Sequence, residues 1–234
     1  MVGVFISKGM TIGIPVGGLK IALDSHGKIT GNLTPHVRFD VGPTWIQLAL
    51  RHLDDAKAKQ DLRVAAWAGV DENQKSHSLE REFEASMQAI MAAAIAVDAF
   101  YSLIQTHVDL PPSITDKSRA KRTARYSQVT EVLKRAFHLK PNSVANLRQN
   151  LREIYRLRDL AVHPSGKMEA PIVHPELGAG VEWRFAYFRA YNAELIVNAA
   201  SRILWELAYQ GEPKHPEIQK YIDGLRRLLA ISSG

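Results

Sequence analysis

The stretch Tyr155-Arg156-Leu157-Arg158-Asp159-Leu160-Ala161-Val162-His163-Pro164 closes on a histidine and a proline, with two arginines and an aspartate shortly before them. An always-charged guanidinium beside a titratable imidazole suits phosphoester chemistry, in which histidine moves the proton and arginine holds the oxyanion. Val144, Leu147, Leu151, Ile154 and Ala161 repeat with the helical period, from a start near Ser143, a residue suited to cap a helix. Continuing that stripe puts Arg158 on the buried side, where leucine would be expected. An arginine there needs an acid, a backbone acceptor or a cleft, because an unpaired buried charge is costly. His163 falls at the helix C-terminus, since the residue before proline is pushed out of the helical region, and the last turn of a helix favours a cation.

The acid to answer Arg158 is sought in the clearest helix of the chain. Leu79, Phe83, Met87, Ile90, Ala94, Val97, Tyr101 and Ile104 keep helical spacing up to Pro111-Pro112, and from Ala85 to Val108 the helix is apolar nearly all round, which makes it central. Asp98 is the only Asp, Glu, Lys or Arg in that stretch. It is the candidate carboxylate for Arg158 or another basic residue, or else an exposed carboxylate on a less buried face.

Arg158-Asp159-Leu160-Ala161-Val162-His163 resembles the motif of the HEPN family, all-α domains of prokaryotic toxins, defence proteins and ribonucleases. These carry an arginine and a histidine with four to six residues between them, commonly with a polar residue straight after the arginine. Asp159 fills that polar slot. Arg156 also matches, with six residues before His163, and is kept as a supporting residue. The resemblance covers about residues 78 to 210 and implies a metal-independent endoribonuclease. In it, His163 serves as acid or base, Arg158 stabilises the phosphorane charge, and Asp159 orients Arg158. It further implies no metal or other cofactor, RNA as partner, a homodimer with two motifs facing one cleft, and an antitoxin in some settings. Two other classes stay open: a non-catalytic helical module that binds nucleic acid or protein, with Arg158 serving structure through Asp98, and a helical DNA-binding regulator.

Charge distribution bears on all three. The chain carries +6 formally, yet residues 118 to 158 hold eleven Lys/Arg against Glu131 and Glu153, so this segment is at +9 and the remainder at −3. A field of that kind attracts a polyanion. Lys117, Arg119, Lys121, Arg122 and Arg125 crowd the start of a third predicted helix, about 117 to 139, where cations oppose the dipole and local stability does not explain them. Arg119, Lys121, Arg122, Arg125 and Arg152 are therefore the candidate phosphate contacts, with Lys134 and Arg148 as additions. Trp183, Phe185, Tyr187, Phe188 and Tyr191 could stack bases, but three of them step by four, which favours packing. His163-Pro164, His174-Pro175 and His215-Pro216 have no compact ligand spacing, so no metal site is expected.

Further elements must hold these residues in place. A helix from Pro43 to about Trp67, closed by Gly69, and others over about 182 to 210 and 216 to 230 give a mainly α fold: a helical bundle of five or six helices over residues 43–234. A loop of about 17 residues follows His163 and could lie over the motif. Residues 1–42 form a small N-terminal β-element of three or four strands. The alternation of Leu19, Ile21, Leu23, Ile29 and Leu33 predicts a half-buried hairpin that docks on the bundle. Its Gly13, Gly17 and Gly18 do not have dinucleotide-fingerprint spacing. Zero cysteines exclude disulfides and thiol catalysis. No signal h-region is found and no membrane span is expected, which makes the cytoplasm the default compartment.

Overall fold

The computed structural model describes residues 6–7, 9–23, 25–111, 123–163 and 166–231, with side chains described through residue 227. Its helices are α1 (Gly42–Trp67), α2 (Glu72–Gln105), α3 (Arg125–Ala136), α4 (Pro141–Val162), α5 (Trp183–Tyr187), α6 (Ala190–Tyr209) and α7 (Pro216–Ile231). Its strands are β1 (Met10–Gly13), β2 (Leu19–Leu23), β3 (Ile29–Leu33), β4 (His36–Phe39), β5 (Ile172–Val173) and β6 (Gly180–Val181). The fold is mainly α, a helical bundle with a small N-terminal β-element.

α2 is the axis of the bundle. Ala89, Ile90, Ala93, Ala94, Ala96, Val97, Phe100 and Ile104 are buried in one core with Leu151 and Ile154 of α4, Val129 and Leu133 of α3, and Val197 and Ala200 of α6. Its alanines let the neighbouring helices approach closely. It starts seven residues before the sequence stripe suggests, because Asp71 caps it by accepting from the N–H groups of Asn73 (2.9 Å) and Gln74 (3.2 Å). It is long and apolar enough to cross a membrane, but more than half of its most apolar stretch is buried inside the protein, as in a core helix. α1 and α2 form an antiparallel hairpin, with Gly42 near Ala99 at one end and Arg63 against Glu82 at the other.

Three further helix boundaries differ from the periodicity. α3 stops at Ala136 because Phe137 turns extended to bridge Pro213, and His138 N–H bonds the Glu212 carbonyl (3.0 Å). α4 begins at Pro141, which sits in the first turn in place of a Ser143 cap. The expected helix over 182 to 210 breaks at Phe188-Arg189. Arg189 is extended there, and Asn192 Nδ2 donates to the Tyr187 carbonyl (2.9 Å) at the break. Trp183 and Tyr187 stay together on α5, edge-to-face at 5.8 Å, while Tyr191 falls on α6. Phe188 enters the core edge-on to Phe83, while Tyr191 stays exposed.

The N-terminal strands are two antiparallel ribbons, β1 with β4 and β2 with β3. Asp40 ties their base to the bundle by accepting from Gly42 N–H (2.9 Å) and the Tyr221 hydroxyl (3.1 Å). The half-burial expected of the β2–β3 hairpin is not found: every residue of both strands is exposed. Alternation specifies two chemically different faces, but no described helix covers the apolar one.

Candidate functional site

Asp98 projects from mid-α2 toward α3 and α4 and gathers three groups. Its Oδ1 accepts from Arg125 Nε (2.9 Å) and the Tyr155 hydroxyl (2.8 Å), and its Oδ2 accepts from Arg158 Nη1 (3.0 Å). Tyr155 is buried, and burial first, then the adjacent Asp98 carboxylate, push its hydroxyl above the ordinary value, so it stays a donor. Arg125 lies over the Tyr101 ring (4.3 Å) and Arg158 over the Tyr155 ring (4.7 Å), which fixes both guanidinium planes. Burial works against the charge of Arg125, and Asp98 more than offsets it.

Arg158 has two unlike edges. Nη1 faces inward to Asp98; Nε (3.0 Å) and Nη2 (2.7 Å) both donate to Asp159 Oδ1. Arg158 is 22% exposed and Asp159 51%. The arginine is therefore at the rim of the core, and Leu157 is the α4 residue that occupies the buried position. The Nε–Nη2 edge is the one that grips a carboxylate or phosphate side-on. Here an exposed carboxylate of the same chain covers it.

His163 ends α4, exposed, with its N–H on the Asp159 carbonyl (3.0 Å). Five residues separate it from Arg158, roughly 7.5 Å of helical rise and about 140° of rotation. Anything touching both must wrap the C-terminal end of α4. Arg156 pairs with Glu153 (2.9 Å) and lies over the Tyr187 ring (5.4 Å), beside a groove of about 530 Å³ between α4 and α6 that Asn150, Asn198 and Arg202 also line. Arg152 is exposed on α4. One turn before it, Arg148 lies over Tyr126 (5.6 Å). Hydrogen bonding to Ser127, then to Arg148, holds the Tyr126 hydroxyl below its ordinary value. Lys117, Arg119, Lys121 and Arg122 fall outside the described residues. Arg125, expected on a phosphate-binding surface, is built into the Asp98 cluster instead, together with Tyr101 and Tyr155, which the sequence reading did not single out.

A second cluster was not foreseen. Arg63 and Glu82, each 1% exposed, are joined by Nε to Oε2, and Glu82 Oε1 accepts the Ala190 N–H (3.0 Å). Arg63 Nη2 also reaches Glu176 Oε2, while Arg189 donates to Glu176 Oε1 (2.6 Å) and Gln60 to Oε2 (3.2 Å). Glu176 belongs to the loop after His163, which is a miniature hairpin: β5 pairs with β6, and His174 N–H bonds the Ala179 carbonyl (2.8 Å). His174 is fully buried. Its Nδ1 accepts the Glu176 N–H (3.2 Å), so its proton is on Nε2, which has no partner among the described residues. Burial, then Arg63, lowers its pKa from the ordinary 6.5. Glu82 and Asp98 are 16 residues apart on one helix, about 24 Å. The loop thus anchors at the end of α2 away from Asp98.

No family model, curated protein or solved structure matches this chain.

Proposed function

We propose that the chain is a metal-independent endoribonuclease of HEPN type, working in the cytoplasm as a homodimer in a toxin or phage-defence setting. The observation that carries the reading is the two-edged environment of Arg158: Asp98 fixes the inner edge, and only the half-exposed Asp159 carboxylate covers the bidentate outer edge, about 1.4 helix turns before an exposed His163. An RNA phosphate would displace the Asp159 carboxylate from Nε and Nη2. The ribose 2′-oxygen then bonds to phosphorus as the bond from phosphorus to the 5′-oxygen breaks, leaving a 2′,3′-cyclic phosphate. One proton leaves the 2′-hydroxyl and one is delivered to the 5′-oxygen. His163 performs one transfer, and the same residue of a second copy performs the other. Arg158 stabilises the charge that develops on the nonbridging oxygens. Arg148, Arg152 and Arg156, elsewhere on α4, supply electrostatic attraction.

The test is cleavage of end-labelled mixed-sequence RNA in EDTA by wild type, Arg158→Ala and His163→Ala. The expected result is cyclic-phosphate ends from wild type and a loss of about 10²- to 10⁴-fold in each variant at unchanged helicity. RNA that is bound but intact with all three proteins sinks the reading.

A second reading has its own support. All three nitrogens of Arg158 already donate to carboxylates, which suits a purely structural arginine in a binding module that contacts nucleic acid, an antitoxin or another protein. It requires Asp98→Asn to lower stability while leaving RNA affinity as it was.

A further inference from the structure

We infer that the β2–β3 hairpin is a self-association surface, which packs face to face on the same hairpin of a second copy of this chain. Pairing of Leu19 with Leu33, Ile21 with Gly31 and Leu23 with Ile29 gathers five large aliphatic side chains on one face, all 51–70% exposed. The pairs Lys20–Asn32 and Ala22–Thr30 make up the other face. A two-stranded ribbon alone is marginal in water, and an apolar patch of this size on a monomer marks an interaction site.

The occupant follows by elimination. The bundle of the same chain does not cover the face. Insertion into a hydrocarbon core is excluded because both ribbon edges carry backbone N–H and C=O groups with no strand partner among the described residues. The face carries no charge, so it offers nothing to specify an acidic or basic partner, and two copies of it meet without opposing like charges. A two-fold interface needs a self-complementary patch, and an uncharged aliphatic ribbon face is one. Two such ribbons stack as a small sandwich about 10 Å thick, with Lys20 pointing outward. The five side chains supply on the order of 500 Å² per copy, hence about 1,000 Å² for the pair, the size at which specific interfaces begin.

The experiment uses the full chain, whose mass is 26.1 kDa. Sedimentation equilibrium at tens of micromolar should give wild type as an even multiple of that mass. Ile21→Asp should halve it, and Lys20→Asp, on the opposite face, should leave it unchanged. Because the chain has no cysteine, Ile21→Cys should be cross-linked to itself by a short bis-maleimide, and Lys20→Cys should not. A monomeric wild type, or Ile21→Asp keeping the wild-type mass at full helicity, overturns the proposal. Should Ile21→Asp lose helicity, the two cysteine variants decide. Failure here is separate from failure of the ribonuclease reading: RNA cleavage with no hairpin contact sinks only this inference, and hairpin contact with no cleavage sinks only that one.

Discussion

Arg63 and Arg158 are both arginines held between two carboxylates, at opposite stretches of α2, and they differ in water. Arg63 is sealed: Glu82 holds Nε, Glu176 holds Nη2, and the second oxygen of Glu82 takes a backbone N–H. Arg158 is sealed on one side only, and Asp159, its partner on the other, is half in solvent. Burying an ion pair is weak evidence for stability, but removing one partner of a buried pair leaves a stranded charge. The first cluster therefore staples the loop after His163 to α1, α2 and the start of α6, while the second keeps an arginine oriented and within reach of an anion. The same pairing of arginine with two carboxylates fixes a loop where it is dry and leaves a half-solvated carboxylate on the arginine where it is wet.

Three experiments would break or sharpen that contrast. The largest effect belongs to Glu82→Ala, which strands Arg63 in the core and should cost about 3–5 kcal/mol in urea unfolding; a cost below 1 kcal/mol would mean that water reaches the cluster. Acidification comes next. His174 faces Arg63 from α1, Glu82 from α2, Arg189 at the start of α6, and Glu176 of its own loop. Its folded-state pKa is below 6.5, so the unfolded chain takes up a proton first as pH falls. Stability is full above about pH 6.5 and declines below it, by at most about 1.4 kcal/mol per pH unit. For Glu176, burial alone would raise the pKa, but hydrogen bonds from Gln60, Arg189 and Arg63 outweigh it and hold the carboxyl below 4.5, which adds a second decline under that pH. The protection of residues 172–181 against hydrogen exchange, taken relative to the intrinsic exchange rate at each pH, should fall on going from pH 7 to pH 5, and His174→Phe should flatten the upper part of the profile. The smallest stability effect is expected of Asp159→Asn, below about 0.5 kcal/mol because the pair is exposed. That change uncovers the outer edge of Arg158, and RNA binding at fixed salt should strengthen several-fold; unchanged binding would show that Asp159 does not occupy a phosphate position.

Much of the α architecture is legible in the residue pattern, since α2, α4 and α7 are each written in an apolar period that only a helix satisfies. Arg158 stands out through that period, and Asp98 through its isolation in an apolar helix. The same signal was available for the buried cluster: Ile46, Ala49, Leu53 and Ala56 continue by threes and fours to Gln60 and Arg63, and Glu82, Ser86, Ala89 and Ala93 step likewise along α2. It is masked because charged residues near helix ends are usually solvated, so a stripe is naturally taken to stop at its last apolar member. The partners of a charge are harder still. Glu176 lies 113 residues from Arg63, and no local pattern encodes that meeting.

What the sequence determined by itself is local: that the segments of α1, α2, α4 and α7 are helical, that the β2–β3 ribbon has one apolar face, and that Arg158, Asp159 and His163 share the end of α4. Period, capping and turn chemistry act over a few residues and leave their mark there. Tertiary structure alone decided that Asp98 would bind Arg125, Tyr155 and Arg158 together, that Arg63 would be dry and Arg158 wet, and that the ribbon would stand clear of the bundle. Burial and charge pairing depend on which surfaces meet, and that is set by the packing of whole helices, far beyond the range of any local pattern.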